Sequence, residues 1–381
     1  MKKLILILLI SCISLCGCWN YTEIEDDSLV SGIAVDPGEN GYAYKLSLEI
    51  INTPSSEKAE NQEPKILTEN GNTILECLSQ VLNDTSRVLF LSHCKIFLIN
   101  EEVAKDGIQP LLDVFLRKHD LRLDIDIAIV RGIQAGELLK LKSVIDPIRA
   151  YEISRTIQDS SKYLGCAPRI PFWKLVNILS EEGQQLVLPV FEKTEESTDE
   201  SFALKECAIF QGDRLCGFMS SADGQLYMLL TKQLKETVLN IPVGEGDQKI
   251  VLSPEILDYT VEIHPEETEN GICFEIQIQS DFVFEEIPPE IELNNQKNIK
   301  KMEEQLTEVC SQMMFRSIKF IQSEYQTDIY GFGNLLYRKE NRLWKEVGSD
   351  WAKIFPTITF TVDWTVKIIT NGYANGNIQV K

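Results

Sequence analysis

The sequence is poor in the features that most often announce chemistry. Its three histidines, His93, His119 and His264, stand far apart, and none has a second histidine, or a histidine and cysteine pair, at zinc-ligand spacing. His93 and Cys94 are neighbours on an expected strand, where adjacent side chains leave on opposite faces and do not share a metal. No Gly-x-x-x-x-Gly-Lys-Ser/Thr loop is present to cradle phosphates, and Val30-Ser31-Gly32 lacks the first glycine of a Gly-x-Ser-x-Gly elbow. Acidic pairs such as Glu25-Asp26-Asp27 and Glu285-Glu286 are common, but a chain with 58 Asp and Glu makes them by chance. Two carboxylates catalyse only where a cleft drives their pKa values apart. An enzyme is left without residues, and no cofactor is implied.

Positive charge is also scarce. Lys and Arg number 37, which leaves a net charge of −21. Clustered cations are what hold a phosphate backbone, so nucleic acid is not an expected partner. Beyond residue 13 no long apolar run occurs, which places the rest of the chain on one side of any membrane. Cysteine is present without a disulfide pattern: outside the first 18 residues Cys77, Cys94, Cys166, Cys207, Cys216, Cys273 and Cys310 form an odd, irregularly spaced set. Most read as small buried hydrophobes, with Cys207 and Cys216 the one pair placed to bridge a hairpin.

What the chain does have begins at its start. Lys2 and Lys3 precede a short apolar run, and Asn20, Glu23, Glu25, Asp26 and Asp27 arrive too soon for a helix crossing a core about 30 Å thick. This is the pattern of an export signal. Leu15-Cys16-Gly17-Cys18 closes it and resembles the lipobox of bacterial lipoproteins, in which the cut falls before the last cysteine and that thiol carries a diacylglycerol. Residues 1–17 then form a signal peptide, and Cys18 is the lipidated amino terminus. At about 0.8 kcal/mol per buried methylene, two acyl chains hold where a single one binds reversibly.

The remainder predicts an α+β fold of two to three mixed domains: an N-terminal α/β region over 18–191, an acidic linker over 192–203, a middle segment over 204–250 and a C-terminal domain over 251–381. Strands at 28–36 and 42–51 flank the turn residues Asp36-Pro37-Gly38-Glu39-Asn40-Gly41. Asn72 is placed to cap a helix carrying Ile74, Leu75, Leu78, Val81 and Leu82. One strand near 88–99, a helix near 109–118, a strand at 124–130 and a short helix at 134–141 follow. Residues 147–183 read as mostly helical, interrupted by Pro168 and Pro171. A strand, turn, strand sequence spans 207–218, and strands at 259–264 and 271–284 flank a turn at 265–271. A helix over about 294–325 has Ile299, Met302, Leu306, Val309, Met313 and Phe320 on one stripe. In 357–370 Ile358, Phe360, Val362, Trp364, Val366 and Ile368 alternate with polar residues, which predicts an antiparallel C-terminal sheet packed on the long helix. Tyr330, Phe332, Tyr337, Trp344, Trp351 and Trp364 are numerous enough to line a ligand site, but core or interface packing explains them better.

Four blocks in order, GCWNYTEIEDDSLVSGIAVDPG (17–38), RVLFLSHCKIFLINEEVAKDGIQPLLDVFLRKHDLRLDIDIAIVRG (87–132), CAIFQGDRLCGFM (207–219) and TDIYGFGNLLYRKENRLWKEVGSDWAKIFPTITFTVDWTVKI (327–368), resemble the spore germinant receptor C subunits, the Ger(x)C lipoproteins of endospore-forming bacteria. Two departures, Cys94 where that family often has Leu or Val and Lys118 where it has Asp, touch neither a lipid nor a core role. The resemblance implies a non-enzymatic subunit with an elongated body of mixed α/β domains. It would be lipid-anchored on the outer face of the inner spore membrane and assembled with two integral membrane partners, the A and B subunits, to trigger germination on nutrients. The alternative is a lipoprotein that itself captures the nutrient in a pocket.

Overall fold

The computed structural model describes residues 27–51, 63–85, 88–118, 121–141, 145–194, 202–235, 237–244, 250–269, 271–288, 291, 293 and 295–369. The expected signal segment with Cys18, His119 and most of the acidic stretch lie outside them.

The chain opens with the expected hairpin of β1 (Asp27–Pro37) and β2 (Tyr44–Ile51), whose turn holds Asn40 and Gly41 at φ 54° and 90°. After β3 (Lys65–Gly71) comes α1 (Ile74–Asp84). Its cap is Thr73 rather than Asn72: the Thr73 hydroxyl accepts the Glu76 N–H, and the Glu76 carboxylate takes the Asn72 N–H in return. The single strand expected over 88–99 is two, β4 (Val88–Phe90) and β5 (Ile96–Asn100), parted by a 3₁₀ turn that carries His93. Both pair with β1, β4 along its start and β5 along its middle, and the turn shifts the chain between them. Next come α2 (Glu101–Asp106), α3 (Gln109–Leu116), β6 (Asp126–Arg131), α4 (Ala135–Lys140) and α5 (Arg149–Asp159). A π-helical turn, Ser160–Leu164, ends at Gly165 in the left-handed region, and α6 (Phe172–Ser180), β7 (Val187–Lys193), β8 (Phe202–Gln211) and β9 (Arg214–Ser220) complete this part.

These strands form one nine-stranded sheet ordered β3-β2-β1-β5-β6-β7-β8-β9, with β4 beside β1. Its centre, β1, β5, β6 and β7, is parallel. Helices cover both faces, so Ile96–Asn100 and the first five residues of β6 are buried without interruption. Leu78, Leu112, Phe115 and Leu175 of α1, α3 and α6 pack on one face, and Leu138, Ile153 and Ile157 of α4 and α5 on the other. Across the acidic stretch the sheet continues, since β7 and β8 are antiparallel and Lys193 stands opposite Phe202. Residues 204–220, expected in a middle segment, therefore belong to this sheet.

The C-terminal part starts with α7 (Ser221–Leu230) and the short strands β10 (Thr237–Val238), β11 (Ile241–Val243) and β12 (Ile250–Leu252). The long strands β13 (Glu255–Thr268) and β14 (Gly271–Val283) follow, then α8 (Gln296–Glu324), α9 (Phe332–Lys339), α10 (Asn341–Val347), α11 (Trp351–Ile354) and β15 (Thr359–Ile368). A four-stranded sheet, β10-β13-β14-β15, packs on α8. It is mixed rather than antiparallel throughout, because the chain leaves β14, runs down α8 and comes back through three short helices to pair parallel with β14. β13 runs on through Pro265 to Thr268, where a turn was expected; apart from β10 it is an edge strand, and an edge tolerates the missing N–H of a proline.

The alternation of β15 holds. Phe360, Trp364, Val366 and Ile368 are buried, while Thr359, Thr361, Asp363, Thr365 and Lys367 are exposed. The buried stripe of α8 is Met302, Leu306, Cys310, Met314, Ile318 and Ile321, and Phe320, expected on it, is exposed. A second stripe, Glu303, Thr307 and Ser311, accepts the N–H groups of Ile368, Val366 and Trp364 at 2.9, 3.0 and 2.9 Å. Four helical residues rise about 6 Å and two strand residues about 6.6 Å, so the two spacings match over three rungs.

Candidate functional site

Cys18 lies outside the described residues, and the structure takes up the chain at Asp27. Of the other residues singled out from sequence, His93 rests against the Phe90 ring and His264 is exposed beside Glu262, 3.4 Å away. Glu285 and Glu286 are solvent-facing. Among the described residues no group of three or more His, Cys, Asp or Glu is placed to hold a metal. The cysteines from Cys77 to Cys310 are free thiols; Cys207 donates to the Cys166 carbonyl and Cys216 to that of Ile209, so the two do not pair. Burial pushes the Cys94 and Cys310 thiols up to about 12, which keeps them protonated and inert.

The aromatic group separates by burial. Tyr330, Phe332, Trp344, Trp351 and Trp364 are core residues, with Phe332 stacked between Phe355 and Phe360, and Tyr337 is half exposed. Trp364 donates its indole N–H to Ser280, Trp351 to Asp328 and Trp344 to Glu182. The last bond joins the two parts of the molecule, and beside it Gly183 and Gly333 meet backbone to backbone. A Cβ on either would collide with the other, and the Asn334 N–H donates to the Gly183 carbonyl at 2.9 Å.

Sequence reasoning missed the buried carboxylates. Asp36, the last acid of the first block quoted above, accepts the N–H groups of Ala135 and Gly136 at the start of α4. Glu49 accepts those of Arg149 and Ala150 at the start of α5, and the Ser31 hydroxyl as well. Asp328 accepts from Gly331, Phe332 and Gly333 at the start of α9. Burial raises all three pKa values above the usual carboxylate range, Asp328 to about 6, and the helix N–H donors pull the other way. The residues at the N-cap positions of these helices, Gln134, Ile148 and Gly331, make no side-chain cap bond of their own. Such a helix start needs a donor-acceptor partner from elsewhere, and that was the available signal. Asp126 is likewise buried, held by Ser154, Gln158 and Arg169.

Clefts open on the surface among the described residues. One of about 370 Å³ lies along α5 and the π-helical turn, lined by Ile145, Glu152, Arg155, Asp159, Tyr163 and Leu204. Another, about 230 Å³, sits on the outer face of the C-terminal sheet, lined by Asp258, Gln279, Asp281, Thr365 and Lys367 among others. The buried carboxylates line neither of these clefts, and Asp36, Glu49 and Asp328 hold helix starts.

Comparison with known proteins agrees with this architecture over its whole length. The model of the spore germination protein N-terminal domain matches residues 20–193, and that of the spore germination B3/GerAC-like C-terminal domain matches 205–372. Spore germination protein KC of Bacillus subtilis (strain 168) is 23% identical over 400 residues, covering 99% of this chain and 97% of that one. GerQC of Bacillus cereus, a spore germination protein, is 24% identical over 373 residues, covering 98% and 99%. The crystal structure of the GerBC protein superposes with a TM-score of 0.55 at 18% identity, over 91% of this chain and all of that one, and shares the fold. The two domain matches in tandem, on a mixed α/β body with this topology, make the chain a member of the GerAC-like family of spore germination proteins.

Proposed function

We propose that the chain is the lipid-anchored C subunit of a nutrient germinant receptor, working without catalysis beside A and B integral membrane subunits on the outer face of the inner spore membrane. The observation that carries the reading is position: Leu15-Cys16-Gly17-Cys18 stands immediately ahead of residue 20, where the family match begins. No helix among the described residues is long and apolar enough to cross a membrane. Anchoring confines the body beside its partners, where effective concentration lets modest protein contacts suffice. Burial of Cys77, Cys94, Cys207 and Cys310 and the commitment of Asp36 and Glu49 to helix starts support the reading without catalysis.

Mass spectrometry of the native protein tests this directly, with a diacylglycerol expected on Cys18. Cys18→Ser should move the protein out of the membrane fraction, and the native protein should purify from spore membranes with two integral membrane subunits. An unmodified amino terminus overturns the reading. Saturable binding of a germinating nutrient by the purified protein alone would favour direct capture instead.

A further inference from the structure

The parallel strands β1, β5 and β6 all point one way, with Gly32 opposite Ile96 and Ile96 opposite Asp126. Their starts therefore face the same way, β1 beginning five residues, about 16 Å, ahead of the rung at which β5 and β6 begin. The tether from Cys18 enters at that end, because Asp27 starts β1. From Cys18 to Asp27 even a fully extended chain reaches about 30 Å. That same end carries large apolar side chains in solvent. Val88, opposite Asp27 in β4, is 63% exposed; Leu116, closing α3, is 41% exposed; Leu123, just before β6, is 44% exposed; and Trp173, opening α6, is 49% exposed. Trp173 and Leu123 are neighbours through a backbone bond of 3.0 Å. β6 stands two strand spacings, about 10 Å, from β1, well inside the reach of the tether.

Arg117 and Lys118 follow Leu116 directly and Arg122 forks onto Asp124, while the tether brings Glu23, Glu25, Asp26 and Asp27 to the same end, so cations and acids share it. The protein as a whole is acidic, but salt screens each charge beyond about 8 Å, so a cation that touches a headgroup acts locally. An indole and aliphatic side chains beside Arg and Lys suit the boundary between acyl chains and phosphate headgroups.

We infer that this end of the sheet rests on the bilayer, with Trp173, Leu123, Leu116 and Val88 entering the headgroup region and Arg117 and Lys118 meeting anionic lipid phosphates. The lipid on Cys18 then sets an orientation as well as a location. This inference rests on the anchoring proposed above.

The test uses the full, lipidated protein carrying Trp19→Phe, reconstituted in phosphatidylcholine and phosphatidylglycerol vesicles with or without bromine on the acyl chains. Trp344, Trp351 and Trp364 are buried, which leaves Trp173 as the exposed reporter among the described residues. Brominated lipid should cause a loss of fluorescence, and Trp173→Phe should abolish that loss. The loss should grow with phosphatidylglycerol content, and Arg117→Glu with Lys118→Glu should remove the dependence. Leu123→Glu, on an exposed position, should reduce quenching while circular dichroism stays unchanged. Equal fluorescence in brominated and plain vesicles, for protein shown by mass spectrometry to be lipidated and by flotation to be attached, overturns the orientation and leaves the anchor standing. Protein with no lipid on Cys18 overturns the anchor itself.

Discussion

In β6, Ile129 and Val130 are both fully buried although their side chains leave opposite faces; in β15, Trp364 is buried and Thr365 beside it is exposed. The nine-stranded sheet has a helical layer on each face, whereas the C-terminal sheet has α8 on one face and leaves the other polar. A strand covered twice admits a polar residue only where a partner satisfies it, as at Asp36, Glu49 and Asp126, and one covered once tolerates them on every second position. The N-terminal sheet is thus committed to holding itself together, and the C-terminal sheet keeps a face on which sequence can vary without touching the core.

That contrast can be broken most forcefully in β6. Ile129→Lys and Val130→Lys each place an unpaired cation in a closed layer, and each should cost more than about 4 kcal/mol in denaturant unfolding. On β15, Trp364→Ala should cost about 3–5 kcal/mol, since it opens a cavity and strips Ser280 of its partner. Asp328 sharpens the picture through pH. Burial lifts its folded pKa to about 6 from an ordinary value of 3.8, so the folded state holds more protons between those values. Its contribution to stability is then greatest below pH 4, falls as pH rises to about 6 and levels off. Asp328→Asn cannot titrate, so wild type minus variant stability should decline across that window; a flat difference from pH 4 to 7 refutes the assignment. Ser311→Ala and Thr307→Val should each lose about 1 kcal/mol, because each leaves an N–H of β15 without its acceptor. Smallest of all, Thr365→Lys should stay within about 0.5 kcal/mol of wild type. A cost there approaching that of Val130→Lys would show the outer face to be covered, and the comparison would fail.

Legibility in the sequence followed the same division. The stretch over β15 could be read residue by residue because one-sided burial imprints a period of two, and the β1–β2 hairpin because its turn residues are local. The break between β4 and β5 was hidden, since apolar residues continue on both sides and the cause is register with β1, far away in sequence. The parallel pairing of β15 was hidden for a related reason: alternation fixes which face is buried and says nothing about strand direction. The drift of the buried stripe along α8 away from Phe320 reflects what packs against each turn, which periodicity alone does not contain. Asp36 and Glu49 reach helix starts about a hundred residues on, and only the uncapped starts at Gln134 and Ile148 hint that a distant acid is needed. The expectation at Cys18 comes from contiguous residues, an apolar run and the motif that closes it, and lies outside the described residues.

The meeting of Gly183 and Gly333 has a consequence for shuffling. Because each glycine's missing side chain makes room for the other's main chain, a hybrid joining the first half of this protein to the second half of a relative needs an equally bare residue at both places. Swaps that keep both should yield a folded graft, and those that bring a bulkier residue to either should push the halves apart at that seam.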